Sequence, residues 1–207
     1  GADRSFSENE NRYLTKLSDV LSADILSGEF QQQLMDYTSD QMPGRDLLTA
    51  SATAVKKASG RKDIGGAYLG RDGFYFDKKL DKDMNFKRYE RNLKKIENIA
   101  LKYSDKTVTA MLVPESGDIY SGKLPVNAQL FNDAAMYDTA GSILKNCRVI
   151  DLRNTLKSKK GDLLYYRTDH HWTLDGAYAG YEAFTGKKCS YDTREVCDDF
   201  LGTLYSK

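Results

Sequence analysis

The sequence has no long apolar run, no block of like charge, no low-complexity tract and only two histidines, and each scarcity narrows the reading. No segment approaches the ~20 apolar residues that cross a bilayer, so no membrane span is expected. Lys and Arg total 31 against 30 Asp and Glu, interleaved along the chain to a net charge of +1. Without a basic stripe, nucleic acid is not an expected partner. The three cysteines, Cys147, Cys189 and Cys197, have no Cys-x-x-Cys spacing, which argues against a zinc site or a redox motif. Cys189 and Cys197 are close enough to pair in an oxidising compartment, and free, partly buried thiols fit the odd count as well.

What is present suits a globular α/β protein. The 207 residues are 40% hydrophobic, enough for one sizeable core. Gly1-Ala2 reads as a remnant of tag removal. The polar stretch Asp3 to Arg12 is of the kind that follows a cleaved export signal, so a signal or anchor is expected to have been cut away. Apolar residues recur at helical spacing over Glu8 to Leu21, Ser27 to Met42 and Asp46 to Lys57. Residues 1–60 are therefore expected to form a helical extension, and residues 61–207 an α/β domain.

Within that domain two short aromatic runs flank Asp72-Gly73, the chemistry of a β-hairpin over Gly65 to Asp77. Asn85 to Tyr103 spaces Phe86, Tyr89, Leu93, Ile96 and Ala100 as an amphipathic helix. Thr107 to Val113 is nearly continuously apolar and rich in β-branched residues, as in a strand covered on both faces. A helix over Asn127 to Leu144 and a second strand over Cys147 to Leu152 complete a right-handed βαβ unit with parallel strands. A further strand is expected at Leu163 to Arg167 and a helix at Thr173 to Phe184. The fold class is α/β: three layers, α/β/α, around a mainly parallel sheet, with the N-terminal helical region before it.

Histidine is the usual acid and base near neutrality, so such chemistry must centre on the adjacent His170 and His171. In an extended segment residues i and i+2 share a side, which puts Asp169 beside His171. A carboxylate holding one ring nitrogen leaves the other to accept a proton, the base-and-orienter half of a Ser-His-Asp arrangement. Thr173 is suited to cap the following helix, and Trp172 to pack under the pair. Two other readings fit the same spacing. One is a satisfied hydrogen-bonding element before a helix. The other is a metal site, set aside because adjacent histidines diverge in extended chain and no third histidine or thiolate accompanies them. Neither a metal nor a cofactor is expected.

The segment Tyr165-Tyr166-Arg167-Thr168-Asp169-His170-His171-Trp172-Thr173, with Gly176-Ala177-Tyr178 after it, resembles the signature of the DHHW family of exported bacterial proteins. Its Asp-x-His-Trp core is similar to that of the alginate O-acetylation proteins, which have SGNH-hydrolase-like folds. Glu10-Asn11-Arg12, Ser27-Gly28-Glu29-Phe30, Asp40 to Asp46, Tyr68 to Gly73, Val113-Pro114 and Lys123-Leu124-Pro125 extend the likeness over most of the chain. The resemblance implies an O-acyl, chiefly acetyl, esterase or transferase acting on an extracellular or cell-envelope glycan, with Asp169 and His171 as its catalytic acid and base. It also implies a nucleophilic serine on a segment well after the histidine. No Gly-Asp-Ser or Gly-x-Ser-x-Gly occurs in the sequence. Ser116 and Ser121 are the nucleophile candidates at a strand's C-terminal end, with solvated loop serines the plainer reading of both. The 207 residues are thus expected to hold two members of a triad and to lack the third. The alternative from another class is a non-catalytic glycan-binding or envelope-assembly module, with Tyr68, Phe74, Tyr75 and Phe76 as a sugar-stacking face.

Overall fold

In the computed structural model, which describes residues 3–7, 12–188, 190, 192–194 and 196–205, the chain divides after Ile64 into two units. Pairing of Cys189 with Cys197 falls on Cys189, outside the described residues.

The first unit opens with a two-strand antiparallel ribbon, β1 (Phe6–Ser7) and β2 (Arg12–Tyr13), in which the Phe6 and Tyr13 rings meet edge to face at 5.3 Å. Three helices follow, α1 (Leu17–Ser22), α2 (Glu29–Asp40) and α3 (Arg45–Ala58), and then β3 (Asp63–Ile64). The helix expected over Glu8 to Leu21 is therefore a correction. Its first four residues lie outside the described ones, the next two are strand, and helix begins at Leu17, after Asp19 accepts from the Lys16 backbone N–H at 2.8 Å. Gly28 and Gly44 precede α2 and α3 with φ of 82° and 76°, a left-handed backbone that glycine adopts at least cost.

Asp40, buried at the end of α2, accepts from the Arg12 guanidinium at 3.0 and 2.5 Å and from the Thr15 backbone N–H at 2.9 Å. The Arg12 bonds, opposed by burial, hold its carboxyl at about 2, below the usual 3.8. A lowered folded value stabilises above the unfolded value and is lost as pH falls through the folded one. Between about pH 4 and about pH 2 this unit should lose about 1–2 kcal/mol, discounted for the solvent around half-exposed Arg12. Urea unfolding of wild type and Asp40→Asn over that range checks this: the variant should lack this part of the acid slope, and equal slopes would contradict it.

The second unit, Gly65–Tyr205, begins with the hairpin β4 (Ala67–Leu69) and β5 (Tyr75–Asp77), Tyr68 opposite Phe76. Asp72 and Gly73 both have positive φ, 57° and 76°, and the Phe74 N–H donates to Arg71 O at 3.1 Å, closing the type I′ pattern that Asp-Gly favours. Next come α4 (Phe86–Lys102), β6 (Thr109–Leu112), α5 (Ser116–Ile119), α6 (Asp133–Ile143), β7 (Arg148–Asp151), α7 (Arg153–Ser158) and α8 (Leu174–Thr185). Asn85 caps α4 by accepting the Arg88 N–H at 2.9 Å, a contact worth ~1 kcal/mol.

Strands β6 and β7 are parallel, Thr109 opposite Arg148 and Leu112 opposite Asp151. Because successive strand side chains alternate, Ala110, Leu112 and Val149 pack with Leu93 of α4 and Ala140 of α6. Met111 and Ile150 go to the other face, against the cluster of Phe76, Leu152, Leu156, Leu164 and Ala179. Each fully buried leucine there contributes ~1.5–3 kcal/mol. Helices thus cover both faces, and the class is three-layer α/β/α.

Two elements differ from expectation. Leu163 to Arg167 is not a strand: it makes one bridge, Tyr165 with Trp172, and its Leu164 N–H is taken by a side chain. The Leu164 N–H donates to Tyr120 Oη at 2.8 Å, and Tyr165 Oη donates to Pro114 O at 2.6 Å. The helix expected from Asn127 begins at Asp133. Asn127 stands at φ 63°, and the chain after it is tied to the hairpin by Tyr68 Oη to Gln129 O at 3.0 Å and to the residue two past it by Phe131 N–H to Lys79 O at 2.9 Å.

Candidate active site

The segment around Asp169 is a tight reversal rather than an extended chain. The Tyr166 N–H donates to His171 O at 3.2 Å and the Thr173 N–H to Leu164 O at 2.9 Å, so 164–166 and 171–173 run side by side with Arg167 to His170 as the tip. Three anchors hold it. Tyr165 Oη reaches Pro114, just past the C-terminal end of β6. Arg167 O accepts from the Tyr75 N–H of the hairpin at 2.7 Å. Trp172 enters the core over α8, where Gly176 and Gly180 leave room: a methyl group on Gly176 would stand 2.3 Å from Leu164 O, and one on Gly180 3.0 Å from the Trp172 ring. Thr173 caps α8, accepting the Gly176 N–H at 3.4 Å while donating to Leu163 O.

Asp169 is buried, and its carboxylate collects four donors. Oδ1 takes the His171 backbone N–H at 2.9 Å and lies 2.5 Å from His171 Nδ1. Oδ2 takes the Thr203 N–H at 2.9 Å and Thr203 Oγ1 at 3.0 Å. Burial alone would raise the carboxyl's pKa; the Thr203 and His171 donors outweigh it and hold it well below the usual carboxylate range. Asp169 is an anion throughout the neutral range.

The expected pairing of Asp169 with His171 rather than His170 is present, but for a different reason. The chain turns, and the carboxylate bonds the backbone two residues on, which brings the His171 ring to it. His170 Nδ1 lies 3.9 Å from the same oxygen and 3.1 Å from Thr203 Oγ1. With Nδ1 of His171 on the carboxylate, Nε2 projects from the opposite edge of a ring that is 67% exposed. The geometry is that of a base with its orienter. Asp169, His170 and His171 also offer three metal-ligand atoms, all within 4.8 Å of one another.

Sequence reading missed the segment Phe200 to Tyr205, which straps this loop. Thr168 Oγ1 accepts the Gly202 N–H at 2.9 Å, and the Leu204 N–H donates to Thr168 O at 3.0 Å. Leu204 is buried, Phe200 meets Tyr166 at 4.8 Å, and Tyr205 stacks on Tyr75 at 5.8 Å. No spacing rule links Thr203 to a carboxylate 34 residues earlier; the Gly202-Thr203 pair was the sole local hint.

The serine candidates do not join the pair. Ser116 is the first residue of α5 and buried, so the solvated-loop reading of it is corrected; it lines a shallow cavity with Lys79, Glu115 and Phe131. Ser121 is exposed. Neither shares a hydrogen bond with His171 among the described residues. Tyr68, Phe74 and Phe76 are buried in the core, leaving Tyr75 alone of the four hairpin aromatics outside it.

The family described as SGNH hydrolase-like domain, acetyltransferase AlgX, matches residues 68–187. Among solved structures the chain is similar to the O-acetyltransferase domain of Pseudomonas putida AlgJ, at 22% identity over 57% of this chain and 45% of that one, with a TM-score of 0.46. It is also similar to Bacillus cereus PatB1, at 20% identity over 56% of this chain and 39% of that one, with a TM-score of 0.47. The chain thus spans less than half the length of either. No curated protein matches it. The family match covers more than half of the 207 residues and includes the whole Asp169 to Thr173 motif, and the chain belongs to the SGNH hydrolase-like acetyltransferase AlgX family.

Proposed function

We propose that this chain carries the acid-base half of an O-acyl, chiefly acetyl, transferase or esterase of the DHHW type, acting on an extracellular or cell-envelope glycan. The observation that carries the reading is the 2.5 Å contact between Asp169 Oδ1 and His171 Nδ1 on an otherwise exposed imidazole. A serine hydroxyl attacks the acyl carbonyl while His171 Nε2 accepts its proton, and ionised Asp169 stabilises the imidazolium. Collapse of the tetrahedral intermediate returns that proton to the leaving oxygen. The acyl-serine is then relieved by water or a sugar hydroxyl, activated by the same nitrogen.

The serine, in this reading, lies beyond Lys207, as the resemblance implies and as the placement of Ser116 and Ser121 supports. Export fits the family, and no helix among the described residues is long and apolar enough to cross a membrane. The glycan-binding alternative loses most of its stacking face to the core.

The test is length. On an activated acetyl ester the 207-residue chain should turn over little, and a chain continuing through a Gly/Asp-Ser turn should be active. Substantial turnover by the 207 residues that survives Ser116→Ala and Ser121→Ala, yet vanishes with His171→Ala, would place the nucleophile inside this chain and overturn that assignment.

A further inference from the structure

We propose that Asp169, His170 and His171 form a binding site for a borderline-soft divalent ion of the Zn²⁺ type, which on binding removes His171 from use as a base. The second clause rests on the function proposed above; the ion site itself does not.

The argument against a metal was that adjacent histidines diverge, and in this loop they do not. Because residues 167–171 turn, both imidazoles face one carboxylate oxygen: Nδ1 of His171 at 2.5 Å and Nδ1 of His170 at 3.9 Å from Asp169 Oδ1, with ring centroids 4.0 Å apart. Two imidazole nitrogens and one carboxylate are the three-ligand set that leaves an open position on zinc. Hard ions such as Ca²⁺ and Mg²⁺ prefer oxygen and are disfavoured by two nitrogens in three.

The carboxylate is prepared for this. Thr203 occupies Oδ2 with two hydrogen bonds, fixing the group and leaving Oδ1 toward the rings. Outer contacts of that sort orient a ligand and sustain its affinity. The two imidazole side chains are 41% and 67% exposed, so the ion can enter and the rings can rotate to the ~2.0–2.1 Å that Zn–N bonds require. The ion takes neutral imidazoles and an ionised carboxylate. As the ion replaces the proton on His171 Nδ1, Nε2 takes one up, so the ring stays neutral, the net proton count is unchanged, no electron moves, and Nε2 can no longer accept a proton. His170, which has no part in the acid-base pair, acquires a role in this way.

The experiment adds Zn²⁺ to the 207-residue chain, measuring affinity against a chelating indicator and following the imidazole NMR signals, of which the two histidines give just two sets. One ion per chain is expected, with both sets shifting together. His170→Ala removes one of the three ligands and should weaken binding at least ~10–100-fold, the usual cost of losing even a partner that only orients a ligand. Cys147→Ser, Cys189→Ser and Cys197→Ser should leave the affinity unchanged. Affinity undiminished by His170→Ala, affinity lost with the cysteines, or imidazole signals unmoved at excess Zn²⁺ would each overturn the site. None of these readouts is acyl transfer, so their failure leaves the function standing, and loss of the function leaves the site standing.

Discussion

Replacing His171 by Ala, in a chain carrying the nucleophile, should lower acyl turnover ~10²–10⁴-fold, the contribution of a positioned acid-base group. KM should change little, because Nε2 acts on the proton and not on the acyl group's binding. His170→Ala is the control: its ring lies 3.9 Å from Asp169 Oδ1 and makes no bond to it, so turnover should stay within about tenfold of the parent. Equal losses in the two variants would mean that the pair acts as a unit and that the roles assigned to the two rings are wrong.

The second large effect is expected at a residue with no chemistry of its own. A methyl group on Gly202 would stand 2.4 Å from Asp169 Cβ, 2.6 Å from Asp169 Oδ2 and 2.8 Å from Thr168 O. A buried carboxylate and a backbone carbonyl cannot yield as a flexible side-chain tip does, so the strap itself must lift. Lifting breaks the Gly202 N–H to Thr168 Oγ1 bond and both Thr203 bonds to Asp169. Gly202→Ala should therefore cost this unit about 1–3 kcal/mol in urea unfolding, the range for an overpacked site. In the active chain it should also lower turnover by about 10²-fold, since a shift of about 1 Å at a catalytic group has that effect. Parental turnover would show that the strap does not position the dyad.

The elements legible in the sequence were those whose local pattern and tertiary setting agree. The amphipathic stripe of α4, the parallel pair β6 and β7, the Asp-Gly hairpin and the Thr173 cap of α8 are of this kind. The losses came where distant groups claimed the backbone. Tyr120 drew the Leu164 N–H away from strand pairing, and contacts with Tyr68 and Lys79 held Gln129 and Phe131 out of a helix. The site divides in the same way. Asp169 and His171 are two residues apart and could be paired from sequence. Thr203 reaches the carboxylate from 34 residues away, through a contact that only the folded chain brings about.

The central claim is that Asp169 holds His171 through Nδ1 and leaves Nε2 to accept a proton. The most direct measurement is the ¹⁵N-edited imidazole spectrum of the neutral chain, read with and without Asp169→Asn; the tautomer follows from which nitrogen carries the proton. The account predicts that His171 carries it on Nδ1, in a strong hydrogen bond that Asp169→Asn weakens or abolishes. A proton resident on Nε2 of His171, or a spectrum indifferent to Asp169→Asn, would contradict it.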